Sequence, residues 1–142
     1  MKFFHLADLH LGRKLLGESL IEEQRYILEE IMKNVRVEKP DGIFICGDIY
    51  DKYIPSSEAV ALFDSFLEAL VKENCEVFII SGNHDGASRL EFASGLLKKQ
   101  KVHICGTYKG KIESVERKDE YGKLTVYMLP FLRPDMLRAY EK

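Results

Sequence analysis

Phe78-Ile79-Ile80-Ser81-Gly82-Asn83-His84-Asp85-Gly86 (FIISGNHDG) begins as a buried strand and ends as chemistry. FIIS carries no charge, which is the pattern of a strand covered on both faces, as in a parallel sheet. The chain then offers an amide, an imidazole and a carboxylate between two glycines. The same design occurs twice upstream. Ile43–Cys46 (IFIC) runs into Gly47-Asp48-Ile49-Tyr50-Asp51, and the short apolar run Phe3–Ala7 runs into Asp8-Leu9-His10-Leu11-Gly12. In an open α/β sheet, ligands bind beyond the carboxyl ends of the strands. Three polar clusters at three strand ends therefore meet in one crevice if the strands are neighbours.

The segments between these strands have helical spacing. In SLIEEQRYILEEIMKNV (19–35), Leu20, Ile27, Leu28, Ile31 and Val35 recur on one face, and Ser19 with Glu22 forms a capping box. Pro40-Asp41-Gly42 is a turn. In PSSEAVALFDSFLEALVKEN (55–74), Pro55 and the serines mark the start, and Val60, Phe63, Leu67 and Leu70 form the stripe. Ser88 and Glu91 cap a third helix running through Leu97. VHICG (102–106) is a further strand. KIESVER (111–117) and KLTVYML (123–129) are two strands around the turn Asp119–Gly122, and RPDMLRAYEK (133–142) starts a helix at Pro134. The order β-α-β-α-β-α-β-β-β predicts a layered α/β fold: a mostly parallel first sheet with helices on both faces, and the start of a second sheet.

Composition narrows the function classes. The chain has 142 residues and a net charge of −2, so one domain is expected and no global basic footprint argues for nucleic acid. The densest basic run, Leu97–Lys101 (LKKQK), reads as a solvated helix end. The three cysteines, Cys46, Cys75 and Cys105, are widely spaced, which suits reduced thiols rather than a disulfide framework or a zinc finger. No apolar stretch is long enough for a signal peptide or a membrane span, so the expected location is cytoplasmic.

The donor types in the three clusters suit metal ions. Asp8 and His10 lie two apart, and in extended backbone such side chains point the same way and can grip one ion. Asp48, on the central strand, has two oxygens and can bridge two ions, while Asn83 offers a neutral carbonyl oxygen. Mixed oxygen and imidazole donors favour Mn²⁺, Fe²⁺ or Zn²⁺ over Ca²⁺. Two ions about 3.5–4 Å apart can clamp a phosphoryl group and generate a hydroxide nucleophile. Each motif alone reads as an ordinary turn; only the combination points to a dinuclear centre. Arg13, just past the first cluster, is a candidate substrate-binding cation.

DLH, GDIYD and GNHD, in this order, resemble the motifs of calcineurin-like metallophosphoesterases. The surrounding phrases HLADLHLGR, EEQRYIL, GDIYDKYIPSSEAV, SGNHDGASRLEF, VHICG and LPFLRP are similar to the SbcD-type nuclease branch of that superfamily. Protein phosphatases of the superfamily carry Asp-Arg-Gly where this chain has Asp51-Lys52-Tyr53, which argues against them. The resemblance implies that Asp8 and His10 bind a first metal, Asp48 bridges, and Asn83 binds a second, with Mn²⁺ the expected ion. It implies that His84 faces the phosphate as a general acid and that Asp51 orients it. Asp85 caps the turn or supports the site from behind. His5 is expected in the core, and His103 matches no ligand motif. The family pattern also has later histidines, one isolated and two in Gly-His-x-His, which do not occur among the four of this chain. The expectation is therefore the N-terminal part (1–142) of a single nuclease domain. The implied activity is 3′–5′ exonuclease and single-strand endonuclease cleavage of DNA in repair and recombination. The implied partners are an SbcC-type coiled-coil ATPase and a second copy of the nuclease, together forming a heterotetramer. Two alternatives stay open: a metallophosphoesterase for small phosphoesters, and an inactive fragment or interaction module.

Overall fold

The structure is a computed structural model that describes residues 1–140. In chain order it forms β1 (Phe3–Leu6), a small hairpin of β2 (Lys14–Leu15) and β3 (Glu18–Ser19), α1 (Ile21–Glu38), β4 (Gly42–Cys46), α2 (Ser57–Lys72) and β5 (Glu76–Ile80). Two short helices follow, α3 (Ala87–Leu90) and α4 (Ser94–Leu97), then β6 (Val102–Cys105), the hairpin β7 (Glu113–Asp119) and β8 (Gly122–Met128), and α5 (Pro134–Leu137). The predicted C-terminal helix thus begins at Pro134, and the last two residues of its predicted span lie outside the described residues.

Four strands pair in parallel in the order β1-β4-β5-β6, so the three strands with polar ends are adjacent. Their alternation divides the core in two. Ile43, Ile45, Val77, Ile79 and Val102 pack with Leu28, Met32 and Val35 of α1 and with Leu62, Phe63, Phe66 and Leu70 of α2. The opposite residues, Phe78 and Cys105, pack against Met128, with Phe44, Val115 and Val126 around them. α1 and α2 therefore share one face of the sheet, and the β7–β8 hairpin covers the other. The expectation of helices on both faces is corrected here: an uncharged strand reports that both faces are covered, not what covers them.

Several local expectations also change. Ser19 is held in the β2–β3 pairing opposite Lys14, so α1 starts at Ile21, with Leu20 at the cap and no side-chain capping bond. The Ser19–Glu22 capping box does not form. The buried stripe of α1 is Leu28, Met32 and Val35, while Ile27 is exposed. On α2 the stripe includes Ala59, Leu62 and Phe66, and Val60 is exposed. Its start is as expected, with Ser56 Oγ accepting from Ala59 N at 3.3 Å. The third helix is broken in two by Ala93, which adopts φ +59°. Glu91, expected as a cap, instead accepts from the backbone N–H groups of Gly106 and Thr107, tying this segment to the end of β6. His5 is exposed on the edge strand β1 rather than buried.

Candidate metal centre

The loops after β1, β4 and β5 form one laced unit. Those after β1 and β4 run on side by side past their strands: Asp8 N donates to Gly47 O, His10 N to Asp48 O at 2.8 Å, and Leu11 N to Ile49 O at 2.8 Å. The loop after β5 is tied to them by Asp85, which is 5% exposed. Its Oδ2 accepts from Gly82 N at 2.8 Å and Ile49 N at 3.3 Å, and its Oδ1 from Tyr50 N at 3.0 Å. Asp85 thus caps its own turn and staples it to the neighbouring loop. Gln24 of α1 does the same for the first loop. Its side-chain oxygen accepts from Gly12 N at 2.9 Å, and its Nε2 donates to His10 O at 2.7 Å. Sequence reasoning did not single out Gln24. It sits within the EEQRYIL phrase, but a glutamine on a helix face looks like a solvated residue until the loop is folded over it.

This lacing brings the side chains together. One donor atom each from His10, Asp48 and His84 lies within 4.8 Å of the other two. His10 Nε2 is 3.7 Å from Asp8 Oδ1 and 3.9 Å from Asp48 Oδ2. The His10 and His84 rings meet edge to face with centroids 4.9 Å apart. Asp48 Oδ1 accepts from His84 N at 2.9 Å, so the second loop also orients the third. Asn83 and Arg13 are exposed: Asn83 at the tip of the third loop, Arg13 beyond the first.

The way Asp8 and His10 come together differs from the expectation. Both are in the left-handed region, φ +58° and +44°, as is Asp48 at φ +49°. Their proximity is made by a coiled loop, not by the pleat of a strand. L residues avoid this conformation at a cost of roughly 1–3 kcal/mol each, and such strain persists where surrounding bonds over-determine it. Here the interloop hydrogen bonds do so. Asp51 meets His84 through its main chain rather than its carboxylate. Its main-chain carbonyl, 2.9 Å from His84 Nδ1, holds that ring, while its carboxylate lies 3.6 Å from His10 Nδ1.

Two features fit a cation in this space. His10 Nε2 faces both Asp8 Oδ1 and Asp48 Oδ2 at distances too long for a hydrogen bond, while its buried Nδ1 turns toward Asp51. Gly82 leaves room for the Asp48 carboxylate: a Cβ built there would overlap Asp48 Oδ1. An imidazole nitrogen and two carboxylates held just beyond bonding distance of one another are a donor set suited to a divalent transition metal. His84 is biased toward its protonated form, first by the Asp51 carbonyl on its ring and further by the charges of Asp48, Asp51 and Asp85.

Loops of aspartate and histidine at the ends of adjacent parallel strands define the class: a layered α/β scaffold that carries a candidate metal centre suited to hydrolysis. More particularly, the chain belongs to the calcineurin-like phosphoesterase family, whose model matches residues 1–135. It is similar to the D component of the nuclease SbcCD of Staphylococcus epidermidis, 35% identical over 143 residues, covering 100% of this chain and 37% of that protein. It is also 35% identical over 132 residues to the D component of the nuclease SbcCD of Staphylococcus saprophyticus, covering 92% of this chain and 34% of that protein. The chain spans little more than a third of the length of these curated relatives.

Proposed function

We propose that residues 1–142 form the N-terminal part of a metal-dependent phosphodiesterase domain that cleaves DNA. The observation that carries this reading is the convergence of His10, Asp48 and His84 from three separate loops, joined by the likeness to two nuclease components. On this reading Asp8, His10, Asp48 and Asn83 hold two divalent ions, Mn²⁺ first among them. When bound, such ions neutralise the phosphate and lower the pKa of attacking water.

The side chains supply the rest. In hydrolysis a P–O bond forms to water and the P–O bond to the leaving oxygen breaks, leaving an alkoxide that needs a proton. On this reading His84, exposed in the third loop, donates it. The Asp51 carbonyl and the Asp48 bond to His84 N fix that residue at ring and backbone. Arg13 is assigned to the substrate backbone. The finer reading is 3′–5′ exonuclease and single-strand endonuclease action in DNA repair. It includes a cytoplasmic complex with an SbcC-type ATPase and a second copy of the nuclease.

Calorimetric titration of this chain with Mn²⁺, with Asp48→Asn and His84→Ala alongside, tests the core of the proposal. Binding abolished by Asp48→Asn and retained by His84→Ala is expected. Mn²⁺ binding unchanged in Asp48→Asn, or Mn²⁺-dependent DNA cleavage surviving in both variants, refutes it.

A further inference from the structure

The small β2–β3 hairpin, which follows the first polar loop, breaks two ordinary rules at once. Its two-residue turn, Leu16-Gly17, has φ +51° and +93°, and Leu15 pairs with Glu18 across it. Positive φ at both central residues is the type I′ turn, which favours asparagine or aspartate before the glycine. Leucine has no polar atom to bond locally and is disfavoured in that left-handed position. Leu16 is also 97% exposed, more than any other large apolar side chain among the described residues, and Leu15 beside it is 61% exposed. Leu16 therefore serves neither the turn nor the core.

The hairpin is firmly mounted on the candidate metal centre. Arg13 N donates to His10 O at 3.1 Å and Leu20 N to Arg13 O at 3.0 Å. Gln24 bonds both His10 O and Gly12 N at the same root. Beyond that root β2 and β3 pair only with each other. A strand rises about 3.3 Å per residue, so the tip stands up to roughly 13 Å from Gly12, the span of three to four stacked nucleotides at about 3.4 Å each. Arg13 and Lys14 put two cations at the base of the hairpin against its one carboxylate, Glu18. Lys14 turns toward the start of α2, beside Lys52 and Glu58.

Two exposed leucines on a short turn are too little for a protein interface, which buries about 800 Å² on each partner. They are enough to part stacked bases, a task that one or two inserted apolar side chains perform. We propose that Leu16, backed by Leu15, is a wedge that enters the base stack of DNA a few nucleotides from the phosphate held at the metal centre, with Arg13 and Lys14 on the backbone. The wedge selects DNA that unstacks readily there. It rests on the DNA-cleaving reading above and adds to it the feature of the substrate that is recognised.

The test uses the chain in Mn²⁺ with a phosphorothioate duplex that resists cleavage. The duplex carries 2-aminopurine, whose fluorescence rises on unstacking, at successive positions from one end in turn, and the anisotropy of a separate label follows binding. Saturable binding with a fluorescence rise at a few adjacent positions is expected. Leu16→Asn is expected to bind saturably, to lose the rise, and to melt about 2–4 °C higher, because Asn-Gly suits the turn. Arg13→Gln with Lys14→Gln is expected to weaken binding about tenfold and to lower the slope of log affinity against log salt by about 2. A rise that survives Leu16→Asn, or wild-type binding with no rise, overturns the wedge and leaves the DNA reading standing. No saturable binding by the wild-type chain overturns both. A lower melting point for Leu16→Asn makes Leu16 a structural residue and overturns the proposal. Self-association in sedimentation that Leu16→Asn abolishes, with no fluorescence rise on DNA, assigns the tip to a second copy and overturns it as well.

Discussion

Replacing Asp85 with asparagine tests the claim that one buried carboxylate holds two loops of the centre in register. Asp85 receives three backbone N–H groups on two oxygens: Gly82 and Ile49 on Oδ2, Tyr50 on Oδ1. Asparagine has one oxygen. With that oxygen in the Oδ2 position, two bonds survive and the amide NH₂ faces the Tyr50 N–H, donor against donor. Turned over, it loses two bonds. A hydrogen bond to a charged acceptor contributes about 1.5–3 kcal/mol, a neutral one about 0.5–1.5, and an unsatisfied buried donor costs about 1–3. One orphaned donor and two weakened bonds give a loss of about 3 kcal/mol. Asp85→Ala, which orphans all three donors, is expected to lose about 5 kcal/mol. Urea unfolding followed by tyrosine fluorescence and circular dichroism measures both. With a slope of about 2 kcal/mol per molar, the Asp85→Asn midpoint falls by about 1.5 M. If both variants lose less than about 1 kcal/mol, the three bonds do not hold the loops and the reasoning fails.

Three other perturbations probe the packing and the charges. Gly82→Ala is expected to cost about 1–3 kcal/mol by overpacking against Asp48 and to weaken Mn²⁺ binding; a variant with wild-type melting and titration curves would contradict the close approach. Burial pushes the Glu76 carboxyl up, but its hydrogen bonds to Arg117 and His103 outweigh this and hold it below the usual carboxylate range. Its contribution is therefore present above the unfolded glutamate pKa of about 4.3 and lost as pH falls through the folded value. Glu76→Gln is expected to destabilise the chain at pH 7 and to flatten the acid limb of its stability curve, as read by urea unfolding across pH. In the metal-free chain, NMR titration of His84 is expected to give a midpoint above the ordinary imidazole value, chiefly from the Asp51 carbonyl, so Asp51→Asn retains most of the shift. A His84 midpoint that drops to the ordinary value in Asp51→Asn would assign the effect to the carboxylate instead.

The alternation of strands and helices, the three polar clusters after β1, β4 and β5, and the turn between β7 and β8 are legible in the residues alone. These are local signals: an uncharged run, a change of period, a glycine beside an aspartate. The placing of α1 and α2 on one face of the sheet and of a hairpin on the other needed the folded chain, because the pattern of a strand does not name its neighbours. So did the start of α1, since Ser19 pairs with Lys14 and its hydroxyl reaches only Ile21 N, at 3.4 Å, so that no capping box forms. Folding also puts Asp8, His10 and Asp48 in left-handed backbone, where period-two reasoning does not apply. It gives Asp85, Gln24 and the Asp51 carbonyl their roles, each through a bond to a residue at least twelve positions away. Residue type and spacing fix which groups a chain can offer. Which of them meet depends on long-range pairing, whose energy is shared among distant segments and is visible in none of them alone.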